Sequence, residues 1–296
     1  MDAMTTTATS ALAAWADCLA CPDCEHDLRL EPTTLSCAAC GYSTAVAAPL
    51  DLRPRAPRPR TLTARVFSSG PTIVDGCTLG PPPRVYAGPP AQRDSSTLFS
   101  AVHDRCRPGA RILDVGCGPR DQAVPAEHLG LRYVGVDIDS RRADFLADAH
   151  ALPFRAATFD LVIAYAVLEH LAQPFVATAA VARVLTPGGV FFGAVSQGEP
   201  FHASYFHHTA WGLAEVLAAS GFELARLWPS YDTLRALATM GRYPRVWRWV
   251  LATVSAAMAR TSFLAPRRHF RWTPRERALD EIYRAASLCF VAVKRG

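Results

Sequence analysis

The sequence holds two groups of residues whose types and spacing could do chemistry. The first is Leu113-Asp114-Val115-Gly116-Cys117-Gly118-Pro119, where a short apolar run gives way to paired glycines. Gly116 and Gly118 permit a tight turn and let a ligand come close to the backbone. A helix starting just after them would offer free N–H groups to a carboxylate. About 20 residues on, Gly135-Val136-Asp137 ends a second apolar run on an acid, placed to accept hydrogen bonds from two ribose hydroxyls. Further along lie Ala147-Asp148-Ala149-His150-Ala151-Leu152-Pro153-Phe154, then Phe159-Asp160-Leu161-Val162, then Leu185-Thr186-Pro187-Gly188-Gly189.

The second group is Cys21-Pro-Asp-Cys24 and Cys37-Ala-Ala-Cys40, two CxxC pairs twelve residues apart. Zinc prefers four tetrahedral thiolates, and two such knuckles supply them, so a structural zinc is expected at Cys21, Cys24, Cys37 and Cys40. Such a site is closed, with no open position for catalysis. Cys18 makes an overlapping CxxC with Cys21 and is a weaker candidate ligand. The odd total of nine cysteines, five of them between Cys18 and Cys40, speaks against a disulfide framework.

The rest of the chain must position these groups. With 296 residues, half of them hydrophobic, it can bury one large core and a small satellite. The net charge of +5 is carried almost wholly by arginine, Lys294 being the sole lysine, and is weak evidence for a polyanionic partner. No run of 18 uncharged apolar residues and no basic N-terminal leader is found, so a cytoplasmic location is expected. The cysteine-marked block covers 18–50, a Pro/Arg-rich linker and cap region 51–94, and the remaining domain 95–296. Short buried runs alternating with helical patterns predict a largely parallel sheet built from βα units.

The series of motifs from Asp114 to Gly189 resembles the class I methyltransferases that include ubiquinone and menaquinone biosynthesis enzymes, over residues 95–228. The resemblance implies an α/β Rossmann-like sheet and S-adenosylmethionine as cofactor. It implies that Asp114, Gly116 and Gly118 hold the methionine part, Asp137 the ribose and Asp148 the adenine amino group, with Tyr165 beside them. The family often has a third glycine where this chain has Arg120. A dinucleotide-binding dehydrogenase would share the glycine turn and the ribose acid, but not Asp148 with Leu-Pro-Phe or the Leu-x-Pro-Gly-Gly turn.

Acceptors in such folds meet the cofactor at the carboxyl ends of the strands. The expected lining is Tyr165-Ala166-Val167-Leu168-Glu169-His170 and Ser196–His202, followed by Tyr205-Phe206-His207-His208. Glu169, His170, His202, His207 and His208 are the candidate bases. Some relatives bind a metal through Glu-x-x-Glu-His; here Ala166 stands at the first position.

Strands are predicted at Phe222–Trp228 and Leu288–Lys294, with a helical insertion over 229–287 between them. Its arginines (Arg242, Arg245, Arg248, Arg260, Arg267, Arg268, Arg271) are interleaved with Tyr243, Trp247, Trp249, Phe263, Phe270 and Trp272. Three readings stand: a lid over the acceptor pocket, a membrane-surface segment, or a nucleic-acid face. The leading expectation is methyl transfer to a small molecule or glycan precursor, at oxygen. The alternatives are an RNA methyltransferase that docks through its zinc ribbon, as in ribosomal RNA guanine methyltransferases, and a non-catalytic cofactor-binding partner protein.

Overall fold

The structure is a computed structural model that describes residues 11–47, 49–55, 76–90, 94–199, 203–241, 243–261 and 273–296. Two sheets organise it. Three short antiparallel strands, β1 (Arg29–Leu30), β2 (Thr34–Ser36) and β3 (Ser43–Ala45), carry the cysteine knuckles. A nine-stranded sheet forms the main body in the order β4-β8-β7-β6-β9-β10-β12-β11-β5. Its strands are β4 (Leu50–Asp51), β5 (Thr78–Leu79), β6 (Arg111–Val115), β7 (Arg132–Asp137), β8 (Phe145–Leu146), β9 (Phe159–Tyr165), β10 (Leu185–Ser196), β11 (Phe222–Asp232) and β12 (Ala285–Lys294).

From β4 to β10 every neighbouring pair is parallel, and β12 inserts antiparallel between β10 and β11. The expected α/β Rossmann-like sheet is therefore present. The central strands read as unbroken apolar runs because both faces are covered. Leu161, Val162, Ile163 and Ala164 of β9 are all buried. One face packs against the Pro174–Val184 and Ala210–Ala219 helices, and the other against the Ser95–Ala101 and Ala123–His128 helices. Gly193 of β10 is required by close approach: a Cβ there would lie 1.9 Å from the carbonyl oxygen of Ala164.

The cysteine block is joined to this body rather than tethered to it. Leu12, Trp15, Leu19, Leu50 and Leu52 belong to the same core cluster as Phe145, Phe154 and Phe159. Each such side chain contributes about 1.5–3 kcal/mol by burial. Backbone hydrogen bonds run from Ala20 N to the Pro153 carbonyl (3.0 Å) and from Arg155 N to the Cys18 carbonyl (2.7 Å). Residues 51–94, expected as linker and cap, contribute to both edges of the main sheet. Leu50–Asp51 pairs with β8 as one edge of the main sheet, and Thr78–Leu79 pairs with β11 as the other. Residues 56–75 of the segment lie outside the described residues.

The insertion also begins later and ends earlier than the sequence suggests. β11 continues to Asp232 and β12 starts at Ala285, with pairing across Pro229/Leu288, Tyr231/Ser287 and Asp232/Ala285. Three register shifts interrupt that ladder, at Leu224/Arg226, Pro229/Tyr231 and Tyr231/Asp232, which periodicity alone does not reveal. The intervening helices are Thr233–Met240, Arg245–Thr261 and Pro274–Tyr283. Asp232 caps the first by accepting from Arg235 N, and Thr273 with Glu276 forms a capping box on the last.

Candidate active site

The carboxyl ends of the parallel strands define one edge of the sheet, and the turn after β6 sits on it. Gly116 and Gly118 have φ of +69° and +50°, conformations that only glycine adopts without strain. Arg120 follows with φ +68°, which explains why a third glycine is usual there. Its guanidinium is ion-paired with Asp144 and lies 5.0 Å from the Tyr133 ring centre, contacts that offset the strain.

Asp137, at the end of β7, clamps this turn. Its Oδ2 accepts from Gly118 N (2.9 Å), and its Oδ1 from Asp139 N (3.1 Å) and Ser140 N (3.0 Å). Burial pushes its pKa up, but the backbone N–H groups outweigh that and hold the carboxyl below its ordinary range. It therefore stays anionic, with lone pairs left for a diol. A cavity of about 400 Å³ opens beside it, with Gly116, Asp137, Asp148, His150, His170 and Tyr205 among its walls. Asp148 accepts from His150 N (2.9 Å) and contacts His150 Nδ1 (2.6 Å). Gln173 N lies 3.3 Å from the other ring nitrogen of His150, so the ring is held from both sides. Burial raises the Asp148 pKa, but its bonds to His150 lower it further, and the net shift is downward.

Gly116, Asp137, Asp148 and His170 thus share one cavity. Asp114 and Gly118 stand behind the wall. Asp114 is buried, accepts from Tyr133 Oη (2.7 Å), and burial pushes its pKa up to about 7. Glu169 is also buried and fastens two loops together. Its Oε1 accepts from Ser196 N (3.0 Å), its carbonyl accepts from Tyr205 N (2.8 Å) and Phe206 N (3.1 Å), and burial pushes its pKa up to about 7. His208 is buried, and burial lowers its pKa, which keeps the ring neutral; its Nε2 has no hydrogen-bond partner among the described residues. His207 is exposed, and His202 lies outside the described residues.

Tyr165 donates to Asp94 Oδ2 (3.1 Å), and Ser230 donates to the same oxygen (2.5 Å). Asp94 is nearly fully buried, and sequence reasoning missed it. Its only local signal is a place just before the Ser95–Ala101 helix, where it makes no capping bond. Ser230 also lines a second cavity of about 420 Å³, with Tyr231, Leu234, Ser255, Met258 and Glu281. Because β11 runs parallel to β10, this cavity opens on the same sheet edge as the first.

The four predicted thiols converge. Their sulfur atoms all lie within 4.8 Å of one another, with Cys21–Cys40 and Cys24–Cys37 each at 3.6 Å. A tetrahedral S₄ site with bonds of about 2.3 Å needs sulfurs about 3.8 Å apart, so the donor set fits such an ion. Cys18 lies outside the cluster, with its sulfur 3.4 Å from Arg111 Nη1.

Comparison with known proteins agrees with this geometry. Residues 113–193 match a family described as "Methyltransferase domain". An uncharacterized methyltransferase of Mycolicibacterium paratuberculosis is 27% identical over 195 residues, 53% of this chain and 74% of that one. A demethylmenaquinone methyltransferase of Renibacterium salmoninarum is 32% identical over 151 residues, covering 43% and 63%. A ubiquinone biosynthesis O-methyltransferase of Methylocella silvestris is 33% identical over 101 residues, covering 29% and 37%.

Replacing Asp137 by Ala is expected to weaken S-adenosylmethionine binding roughly 10- to 150-fold, the loss of one or two charge-assisted hydrogen bonds. Titration calorimetry on variant protein with an unchanged melting curve checks this, and unaltered affinity removes Asp137 from the site.

Proposed function

From a chain that carries a class I S-adenosylmethionine-dependent methyltransferase domain, we propose an enzyme that methylates a small-molecule acceptor, at oxygen, inside the cavity roofed by the insertion helices. The observation that carries this reading is the shared carboxylate of Asp94. It links Tyr165, at the strand end next to the cofactor cavity, to Ser230 on the wall of the second cavity. Two cavities on one sheet edge, joined at one buried group, suit a cofactor and an acceptor that must meet.

Bound S-adenosylmethionine supplies a methyl group on a positively charged sulfur, open to in-line displacement. The protein's work is mostly alignment, and holding an acceptor in line contributes about 7–11 kcal/mol. Asp137 fixes the ribose and Asp148 the adenine side of the cofactor cavity. An oxygen acceptor must also lose a proton, a step worth roughly 100- to 10,000-fold. Glu169 is committed to fastening loops, His208 is buried, and His150 is engaged by Asp148 and Gln173 N, which leaves His170 as the candidate base on the cofactor-cavity wall among the described residues. Asp232 and Ser255, hydrogen-bonded at 2.6 Å, tie the Arg245–Thr261 helix over the second cavity.

The names of the menaquinone and ubiquinone relatives favour an aromatic, quinone-like acceptor over a glycan precursor. The RNA alternative draws no support from the cysteine block. Its exit strand is an edge of the main sheet, and Cys18, Leu19, Leu35 and Leu50 of the block lie in the main core, so it packs on the body rather than standing off as a separate finger. The Cys₄ cluster is proposed to hold one structural zinc through Cys21, Cys24, Cys37 and Cys40.

Two outcomes are expected. Replacing residues 234–283 with a short turn leaves cofactor affinity within about twofold but lowers methyl transfer to hydroxylated quinols at least about 100-fold. S-adenosylhomocysteine release measures turnover; undiminished turnover contradicts the acceptor cavity, and lost cofactor binding makes the insertion part of the core. Elemental analysis finds one zinc per chain, and the Cys37→Ser/Cys40→Ser protein loses it and melts about 5–10 °C lower. Zinc-free protein of full stability overturns the assignment.

A further inference from the structure

The Arg245–Thr261 helix is built the wrong way round for a helix on a soluble protein. Its inner side carries polar contacts. Ser255 is buried against Asp232, and Arg248 Nε donates to the Ala238 carbonyl at 2.7 Å. Its outer side is apolar. Trp249 is 70% exposed, Val246 62% and Trp247 59%, with Val254 exposed as well. At 3.6 residues per turn, an arc of about 160° runs from Trp249 through Val246, Val250 and Val254 to Trp247. No acidic residue falls inside that arc; the charged position within it is Arg260, in the last turn, and Arg245 stands outside its Trp249 edge. Solvent-facing helices carry the opposite pattern, and exposed apolar faces of this kind mark contact sites.

Charge identifies the occupant. Residues 233–275 contain nine arginines and no acidic residue. Four of them, Arg242, Arg267, Arg268 and Arg271, lie outside the described residues. No described helix is long and apolar enough to cross a membrane. An apolar, tryptophan-bearing face set in an acid-free arginine-rich segment matches the interface of an anionic lipid surface, where indoles sit at headgroup depth and arginines meet the headgroups. An RNA partner would instead want several arginines interleaved with the stacking rings, whereas this arc is mostly apolar with one arginine position, Arg260, in its last turn. A second copy of this +5 chain would bring like charges together.

We propose that the Arg245–Thr261 helix docks the protein on anionic lipid surfaces. Met258 and Ser255 of the same helix line the second cavity from its inner side, so docking would hold that cavity about one helix diameter, roughly 10 Å, from the lipid. Entry of an acceptor from the lipid rests on the acceptor-cavity reading above; the docking itself does not.

The test is sedimentation of the full chain with vesicles of phosphatidylcholine, with and without phosphatidylglycerol. Binding is expected to the anionic vesicles and to be weak on the neutral ones. Trp247→Ala/Trp249→Ala is expected to lower partitioning at least about tenfold while cofactor affinity stays unchanged. Equal partitioning of parent and variant overturns the proposal. So does absence of vesicle binding, whether the chain then binds single-stranded RNA with a steep salt dependence or self-associates through the two tryptophans. None of these outcomes alters the turnover assay, so docking can fail while the acceptor reading stands.

Discussion

The site depends on one clamp. Asp137 accepts from the backbone of Gly118 on one oxygen and from Asp139 and Ser140 on the other. These bonds draw the turn after β6 and the turn after β7 together at the carboxyl edge. Ser140 closes the loop by donating to the Gly118 carbonyl at 2.5 Å. Behind the clamp, Tyr133 donates to Asp114, and the Arg120–Asp144 pair holds the chain through a left-handed residue. A carboxylate fixed by three N–H groups costs little reorganisation when a ligand arrives, which is the value of a preorganised site.

The parts of this arrangement that were legible in the sequence are the local ones. A glycine turn after an apolar run, an acid at the end of the next, and paired CxxC motifs each lie within a few residues and carry their own stereochemical reason. Asp94 does not. Its partners Tyr165 and Ser230 are 71 and 136 residues away, and nothing near Asp94 anticipates them. The same holds for the sheet edges. Leu50–Asp51 and Thr78–Leu79 are two-residue strands in Pro-rich surroundings, too short for periodicity to register. The extension of β11 to Asp232 escaped for a third reason, since its irregular pairing breaks the alternation that marks a strand. Among the candidate bases, residue type alone could not separate buried Glu169 and His208 from His170 on the cavity wall.

The cysteine block and the insertion lie at opposite ends of the chain but serve the same sheet. The block supplies an edge strand and closes the apolar core beside β8, where Arg53 Nη1 also reaches the Ile138 carbonyl at 3.2 Å. Ile138 is on the wall of the cofactor cavity, so folding of the block bears on that cavity's shape. The insertion grows from the irregularly paired ends of β11 and β12, and its helices line the second cavity. On the proposed reading, the cofactor half of the site is held by the sheet and the acceptor half by added helices, a division that would let acceptor preference change without disturbing the cofactor.

The central claim is that the two cavities form one reaction site meeting at Tyr165, Asp94 and Ser230. A crystal structure with S-adenosylhomocysteine bound tests it most directly. The account predicts that the ribose hydroxyls lie on Asp137 and that the cofactor sulfur faces the Tyr165 side, open to the cavity beneath the Arg245–Thr261 helix. A sulfur facing away from that cavity, with a wall of protein between them, would contradict it.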